Sequence, residues 1–438
     1  MTKDALAVAI EALSWMGYTG IGERTALLKS ARQLQVVSGV DLRQAHKWIM
    51  ETNRFQNRLD WYIDQVTSDD TTKAAPHGIR SLFRILAYMH WVSQAPKAET
   101  ERVAAWGRQI IGWRELHPYE ESIARLVCSN KNPSAIQVPE FERLAIETCH
   151  SPWYVQRLTN VFGRDHALKL LRRDLHPVSS FARVNPLNSE SGASVSEKLN
   201  GTKVKKLEGT YVLQQHARDD RAKLASLGQI VIQDLGSIVA GLVASPRPGQ
   251  VVLDICAAPG NKTSHMAAQM SNEGEIYSVE LSGTRSAQWR KEMGRTGCRI
   301  AHLIRADARK LPFNTEADVT LVDPPCSNSG VFARNPANKW RINPTRLIEL
   351  SRMQNDILQA ASKMVSKDGS LIYCTCSILP EENEYIVEAF LRRSAEFTLI
   401  PQTPNIGSPG LRGLTDCQRF YPTIHDCNGS FIAKMRRE

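Results

Sequence analysis

The chain has 438 residues, 42% of them apolar and 23% charged. At about 150 residues per domain it holds roughly two to three domains, and the composition excludes a mostly disordered chain, a collagen and a disulfide-stapled miniprotein. Fifty-five Lys and Arg stand against 45 Asp and Glu, a net charge of +10, which favours a polyanionic partner, most commonly nucleic acid, although a merely basic soluble protein carries the same signature.

Residues 1–145 read as all-helical: segments such as 81–92 and 99–111 space apolar groups three and four apart, and Pro76, Pro96, Pro118, Pro133 and Pro139 punctuate them. Charge there is nearly balanced. Residues 146–246 differ. Two short helical patterns at 153–161 and 166–174 precede an extended stretch at 180–188, and a polar run at 189–206 reads as a loop with a basic end at Lys203, Lys205 and Lys206. From Pro248 onward, strand-like runs at 251–255, 275–280, 301–305, 318–322 and 369–374 alternate with helical ones, the longest at 346–365. This alternation predicts an α/β domain, a mostly parallel sheet with helices on both faces, following the all-α region. No apolar run is long enough for a membrane span. Met1 to Ala12 carries Lys3, Asp4 and Glu11 and does not read as an export signal. A cytoplasmic protein with its nine cysteines reduced is therefore expected, with a monomer as the default.

The strand at 251–255 runs into Asp254-Ile255-Cys256-Ala257-Ala258-Pro259-Gly260-Asn261-Lys262-Thr263, and a helix is expected over 263–270. A small-residue turn between strand and helix lets a ligand approach the N–H groups of the helix N-terminus. It lies at the carboxyl end of the strand, where open α/β sheets bind ligands. The turn matches neither the dinucleotide fingerprint nor the P-loop. Glu280, closing the next strand, is suited to accept hydrogen bonds from ribose hydroxyls, and Asp307, just past the third, to hold an adenine amino group. The plain alternatives are an exposed acid and a turn cap. Together the three strand ends suggest a nucleoside cofactor that is not a triphosphate.

The fourth strand ends in Asp323-Pro324-Pro325-Cys326-Ser327-Asn328 and the fifth in Tyr373-Cys374-Thr375-Cys376-Ser377. Cys326 and Cys376 should thus face one cleft, and a thiol at a strand end near a helix start can act as a nucleophile. Cys374 is expected on the opposite face. Zinc is disfavoured because C-x-C lacks the usual ligand spacing and no His pair accompanies it, so no metal is expected. Cys128, Cys149, Cys298, Cys417 and Cys427 read as small buried hydrophobes.

At these residues the chain resembles the NOL/NOP/Sun RNA cytosine-5 methyltransferases. The resemblance rests on DICAAPGNKT (254–263), Glu280, ADAR (306–309), DPPCSNSG (323–330), NPANKW (335–340) and CTCSILPEENE (374–384), with QDLGS (233–237) and RFYPTIHDCNGSFIAKM (419–435) as further pieces. It covers about 180–438 well. It implies a Rossmann-like methyltransferase domain with a seven-stranded sheet over 247–438, a small RNA-recognition region over 146–246, and a NusB-like RNA-binding domain of the bacterial Sun branch over 1–145. Gly260-Asn261 replaces a common glycine pair, Asn328 replaces a common small residue, and Glu280 stands where Asp is more usual. None of these removes a reacting group.

The resemblance further implies S-adenosyl-L-methionine as cofactor, held by Cys256, Ala257, Ala258, Pro259, Gly260, Asn261, Lys262, Glu280, Asp307 and Asp323. Lys262 is alternatively a substrate contact. Cys376 would add to carbon 6 of a cytosine, Cys326 would assist release, and Asp323 would hydrogen-bond the base near N3. The implied substrate is structured RNA, ribosomal RNA ahead of transfer RNA, with the target base out of its stack. Basic residues at 203–206, 218–223 and 334–341 are candidates for phosphate contacts. The competing readings are a DNA cytosine-5 methyltransferase, which needs no second cysteine, and an RNA-binding or ribosome-assembly factor with a relict site.

Overall fold

Thr2 opens the first helix, Lys3–Thr19, by accepting a hydrogen bond from the Ala5 N–H at 3.2 Å, and Gly20, at φ 67°, closes it. Its apolar stripe, Leu6, Ile10 and Leu13, joins Trp48, Leu82 and Leu86 in one helical core. The single helix expected over 81–92 is an α-helix, His77–Ala87, followed by a π-helical turn, Tyr88–Val92. The computed structural model describes residues 1–67, 70–128, 138–188, 192–199, 201–214, 218–312 and 315–438. Pro133 lies outside them.

Two compact units are present, Met1–His176 with Phe332–Asn343, and Pro177–Val331 with Pro344–Glu438. The first is helical. Helices Pro152–Phe162 and Arg164–Arg173 belong to it, as does the short excursion at 332–343. That excursion is held from several sides. Phe332 lies 5.3 Å from the Tyr154 ring and 6.0 Å from His150. The Trp340 indole donates to Asn53 O at 2.7 Å, and Lys339, fully buried, donates to Arg54 O and Cys149 O, both at 2.9 Å.

The second unit contains two sheets among the described residues. Strands β1 (Ser180–Val184), β2 (Gly201–Lys203), β3 (Thr210–Leu213) and β4 (Ile230–Ile232) form an antiparallel sheet in the order β2-β3-β1-β4. The loop expected at 189–206 is corrected in part. Gly192–Leu199 is a helix and β2 follows it, because Val195 and Leu199, four apart, bury against Leu224 and Ile230. Residues 189–191 and 200 lie outside the described residues.

The larger sheet contains β5 (Val251–Ile255), β6 (Glu275–Val279), β7 (Ala301–Ile304), β8 (Ala317–Val322), β9 (Val365–Thr375), β10 (Phe397–Leu399), β11 (Ser408–Pro409), β12 (Gln418–Phe420) and β13 (Ser430–Arg437). The order is β11-β12-β13-β9-β8-β5-β6-β7, with β10 beside β13. β7, β6, β5, β8 and β9 run parallel to their neighbours, and β13 is antiparallel to β9. The sheet has nine described strands, and β10, β11 and β12 are only two or three residues long. Side chains alternate across it. Val252, Leu321 and Ile372 pack with helices Leu235–Ala244 and Asn261–Gln269 on one face. Leu253, Val322 and Tyr373 pack with Pro344–Ser362 and Glu384–Arg393 on the other. The fold is therefore α/β with a mainly parallel sheet and a helical N-terminal region. No helix of the described residues is long and apolar enough to cross a membrane.

Candidate active site

Parallel strands that end side by side bring their following loops together. β5 leads into Cys256, at φ 66°, and on through a cis Ala258–Pro259 bond to Gly260. Gly260 sits at φ 108° as N-cap of helix Asn261–Gln269, and a Cβ there would meet Met293 Cε at 2.6 Å, so only glycine fits. Ala257 and Ala258 are buried and Pro259 is exposed. The Ala257 N–H donates to Val279 O at 3.0 Å, and the Arg285 guanidinium donates to Ala258 O.

Glu280, 5% exposed, lies at the end of β6. Its Oε1 accepts from the Ser282 N–H at 2.9 Å. Its Oε2 is buried and accepts no hydrogen bond among the described residues, with the Arg285 guanidinium at 3.3 Å. A buried acceptor with spare capacity beside a glycine cradle fits a ribose hydroxyl donor. Asp307 is placed differently. Both its oxygens are engaged by Arg309, which holds its carboxyl down at about 2.

The two candidate cysteines meet. Cys326 Sγ and Cys376 Sγ are 2.9 Å apart, and the Cys376 thiol also donates to Asn328 Oδ1 at 2.9 Å. Its hydrogen bond with the Cys326 thiol, and then burial, hold the Cys376 pKa well above the usual thiol range. At rest Cys376 is therefore protonated at neutral pH. Asp323 Oδ2 accepts from Lys262 Nζ at 2.6 Å. Burial opposes the charge on Lys262, but Asp323, Cys374 and Asp254 together outweigh it and hold the ammonium charged. Lys262, Asp323 and Cys376 together line a cavity of about 220 Å³, completed by residues that include Asp234, Asn428 and Ser430.

Cys374 lines the same cavity, which corrects its expected placement on the other face. Residues two apart on a strand share a face, and Tyr373 is the one that points away. All nine cysteines are free thiols. Cys149, Cys417 and Cys427 are buried as expected, whereas Cys128, on the last turn of helix Glu120–Cys128, is exposed, and Cys298 is half-buried.

Two supports of this site were not singled out from the sequence. Glu382 is fully buried, and its carboxylate accepts from the Ser327 N–H at 2.8 Å, the Ser327 hydroxyl at 2.5 Å and the Gln354 amide at 2.9 Å. Its neighbour Asn383 accepts from Thr375 Oγ1 at 2.6 Å and donates to Ser377 O at 2.9 Å, so one short turn braces both cysteine loops. Arg183 on β1 is the second. It donates to Gln233 Oε1, Asn261 O and Ser264 Oγ, tying the small sheet to the helix that opens at Gly260. Burial pushes its pKa down to about 9. The signals were present in E-E-N-E and in F-A-R-V-N, but each residue's partners are distant in sequence.

Comparison with known proteins follows the same residues. A family model described as 16S rRNA methyltransferase RsmB/F matches residues 241–436. The chain is 30% identical over 305 residues to the ribosomal RNA small subunit methyltransferase B of Sodalis glossinidius, with 68% of each chain covered. It is 28% identical over 385 residues to the probable ribosomal RNA small subunit methyltransferase B of Bacillus subtilis, with 84% of each covered. Among solved structures, that of PH0851 superposes with a TM-score of 0.84 at 25% identity, covering 100% of this chain and 99% of that one.

Proposed function

For a chain that belongs to the RsmB/F family of 16S rRNA methyltransferases, we propose methylation of carbon 5 of a cytosine in structured RNA, ribosomal RNA ahead of transfer RNA, through a covalent Cys376 adduct. The observation that carries this reading is the approach of two free thiols at the end of β9 and β8, beside the Lys262–Asp323 pair at the edge of one small cavity.

Carbon 5 of cytosine is a poor nucleophile, and thiolate addition at carbon 6 makes it enamine-like. Cys376 is the adding group on this reading. It adds as the thiolate, its proton passing to solvent, which leaves Cys326, 2.9 Å away, free to act at release. Asp323, held by Lys262, orients the base through N3 and the amino group. After transfer, the carbon-5 proton leaves, Cys326 assists, and the Cys376 thiolate is eliminated. The loop from Cys256 to Lys262, with Glu280 and Asp307, would hold S-adenosyl-L-methionine, which when bound supplies an electrophilic methyl group. The spare Glu280 oxygen and the Gly260 cradle support that fit; Asp307 would have to exchange Arg309 for the adenine. The roles follow the segments: RNA binding by a NusB-like region at 1–145, RNA recognition by 146–246, chemistry by 247–438, acting as a cytoplasmic monomer.

The test is a trapped intermediate. Cys326→Ala, expressed in the native cells, is expected to stall as a protein–RNA adduct, seen as an RNase-sensitive slow band on a denaturing gel and absent from the Cys326→Ala, Cys376→Ala double variant. Sequencing the trapped RNA would name the target. A DNase-sensitive band would transfer the reading to DNA. Absence of any adduct, with normal cofactor binding, would remove the two-cysteine mechanism.

A further inference from the structure

The helical unit holds a cavity of about 680 Å³, larger than the one at the thiols. Its walls come from helices Glu23–Gln33 and Gly39–Arg54 and from the excursion at 332–343, all within that unit. The apolar side chains of its lining are Leu27, Leu28, Leu42 and Met50. Leu28 is 53% exposed.

Four arginines line the same cavity: Arg24, Arg43, Arg334 and Arg341. They arrive from three separate stretches of chain, in a unit that holds 26 basic against 19 acidic residues, so the cavity lies in the more basic of the two units. Arg341 is braced by donating to Ile21 O at 2.6 Å. No ion pair neutralises Arg24, Arg43 or Arg334 among the described residues. The one carboxylate in the lining, Glu23, is 7% exposed and its Oε1 accepts from the Ala337 N–H at 2.8 Å. Asn335 and Asn338 add amides, each able to donate and accept.

We propose that this cavity is a binding site for single-stranded RNA, with phosphates on the arginines and a base against the leucine and methionine side chains. Unpaired arginines lining a recess match phosphodiester oxygens, which they contact bidentately. Apolar side chains accept the face of any base, and amides in the lining can read its edge. An acidic peptide would use the arginines but leave the apolar side chains and amides unexplained. The proposal takes RNA from the functional reading above and adds where a second stretch of it is held.

The test uses the full chain, a fluorescein-labelled mixed-sequence 12-nucleotide RNA, and transcribed small-subunit ribosomal RNA. Arg43→Glu with Arg334→Glu is expected to weaken 12-nucleotide binding about tenfold or more and to lower the salt slope by about 2, one for each lost phosphate contact. Binding of S-adenosylmethionine by calorimetry should be unchanged, which verifies folding. Lys367→Glu with Arg392→Glu, exposed residues of the other unit, makes the same change in net charge and should leave affinity near wild type. Wild-type affinity and slope in the Arg43, Arg334 variant, or an equal loss in the control, would overturn the site. If the wild-type protein binds the RNA through these arginines yet methylates no RNA, the methyl-transfer reading falls and the site stands. If it methylates ribosomal RNA and the variant does so with the same KM, the converse holds.

Discussion

Glu382 places a buried carboxylate where three donors converge, two of them from Ser327, the residue after Cys326. Replacing it with Ala would strand those donors away from water, at a cost of about 3 kcal/mol. A shift of the Cys326 loop by even part of an ångström should slow turnover by roughly tenfold or more, since reacting groups tolerate little misplacement. The expected outcome for Glu382→Ala is thus a lower unfolding midpoint in urea and a reduced single-turnover rate, with cofactor affinity unchanged. Equal losses in cofactor affinity and rate would instead mean that the whole domain has loosened. At this scale the meeting of the two thiols was legible, because Cys326 and Cys376 sit in motifs at strand ends. Their braces were not. Glu382 reads from sequence as an acid in the first turn of a helix, and only the fold shows that its oxygens turn inward to a loop 55 residues earlier.

Among elements, the parallel strands and their order of use were readable from alternating runs, since each strand is buried on both faces and bounded by helical spacing. The excursion at 332–343 was not. It shows no periodicity, and it was noted only as a piece of the family resemblance, N-P-A-N-K-W, and as a candidate phosphate contact at 334–341. In the structure Lys339, the one cation of that motif, is 1% exposed, and burial lowers its pKa to about 8. Its ammonium caps Arg54 O at the end of helix Gly39–Arg54 and Cys149 O just past helix Glu140–Thr148. Lys339→Ala should leave both carbonyls unsatisfied beside a cavity and cost the helical unit about 3–4 kcal/mol. Limited proteolysis is the measurement: cleavage within 1–176 should accelerate while sites in 344–438 stay protected. The helix at 192–199 was missed for a different reason, as its two apolar residues are too few to stand out in a polar run.

Over the whole molecule, charge was visible in the sequence but its placement was not, for the arginines that gather on the helical unit lie far apart along the chain. Acid sensitivity is set in part by buried histidines, of which His150 and His265 are the most strongly shifted. His150 is fully buried, and burial, with the Lys339 charge, lowers its pKa from 6.5 to about 4. The unfolded chain binds a proton below pH 6.5 that the folded one refuses until about pH 4. Stability is therefore constant above pH 6.5 on this account and falls as pH drops through that window, by about 3 kcal/mol in all. Thermal unfolding recorded from pH 7.5 to 4 should show this slope, and His150→Gln should reduce it while His265, also buried with a lowered pKa, keeps the rest; a slope unchanged in the variant would assign acid sensitivity elsewhere. The shared excursion has a further consequence in time. Phe332 and Lys339 complete the packing of helices that end at His176, so a growing chain cannot finish its first unit when that residue leaves the ribosome. At about 5–20 residues per second the opening helices wait on the order of ten to thirty seconds for their last piece. Through that interval they stay incompletely packed while the strands of the second unit emerge, so the part made first is the part finished late.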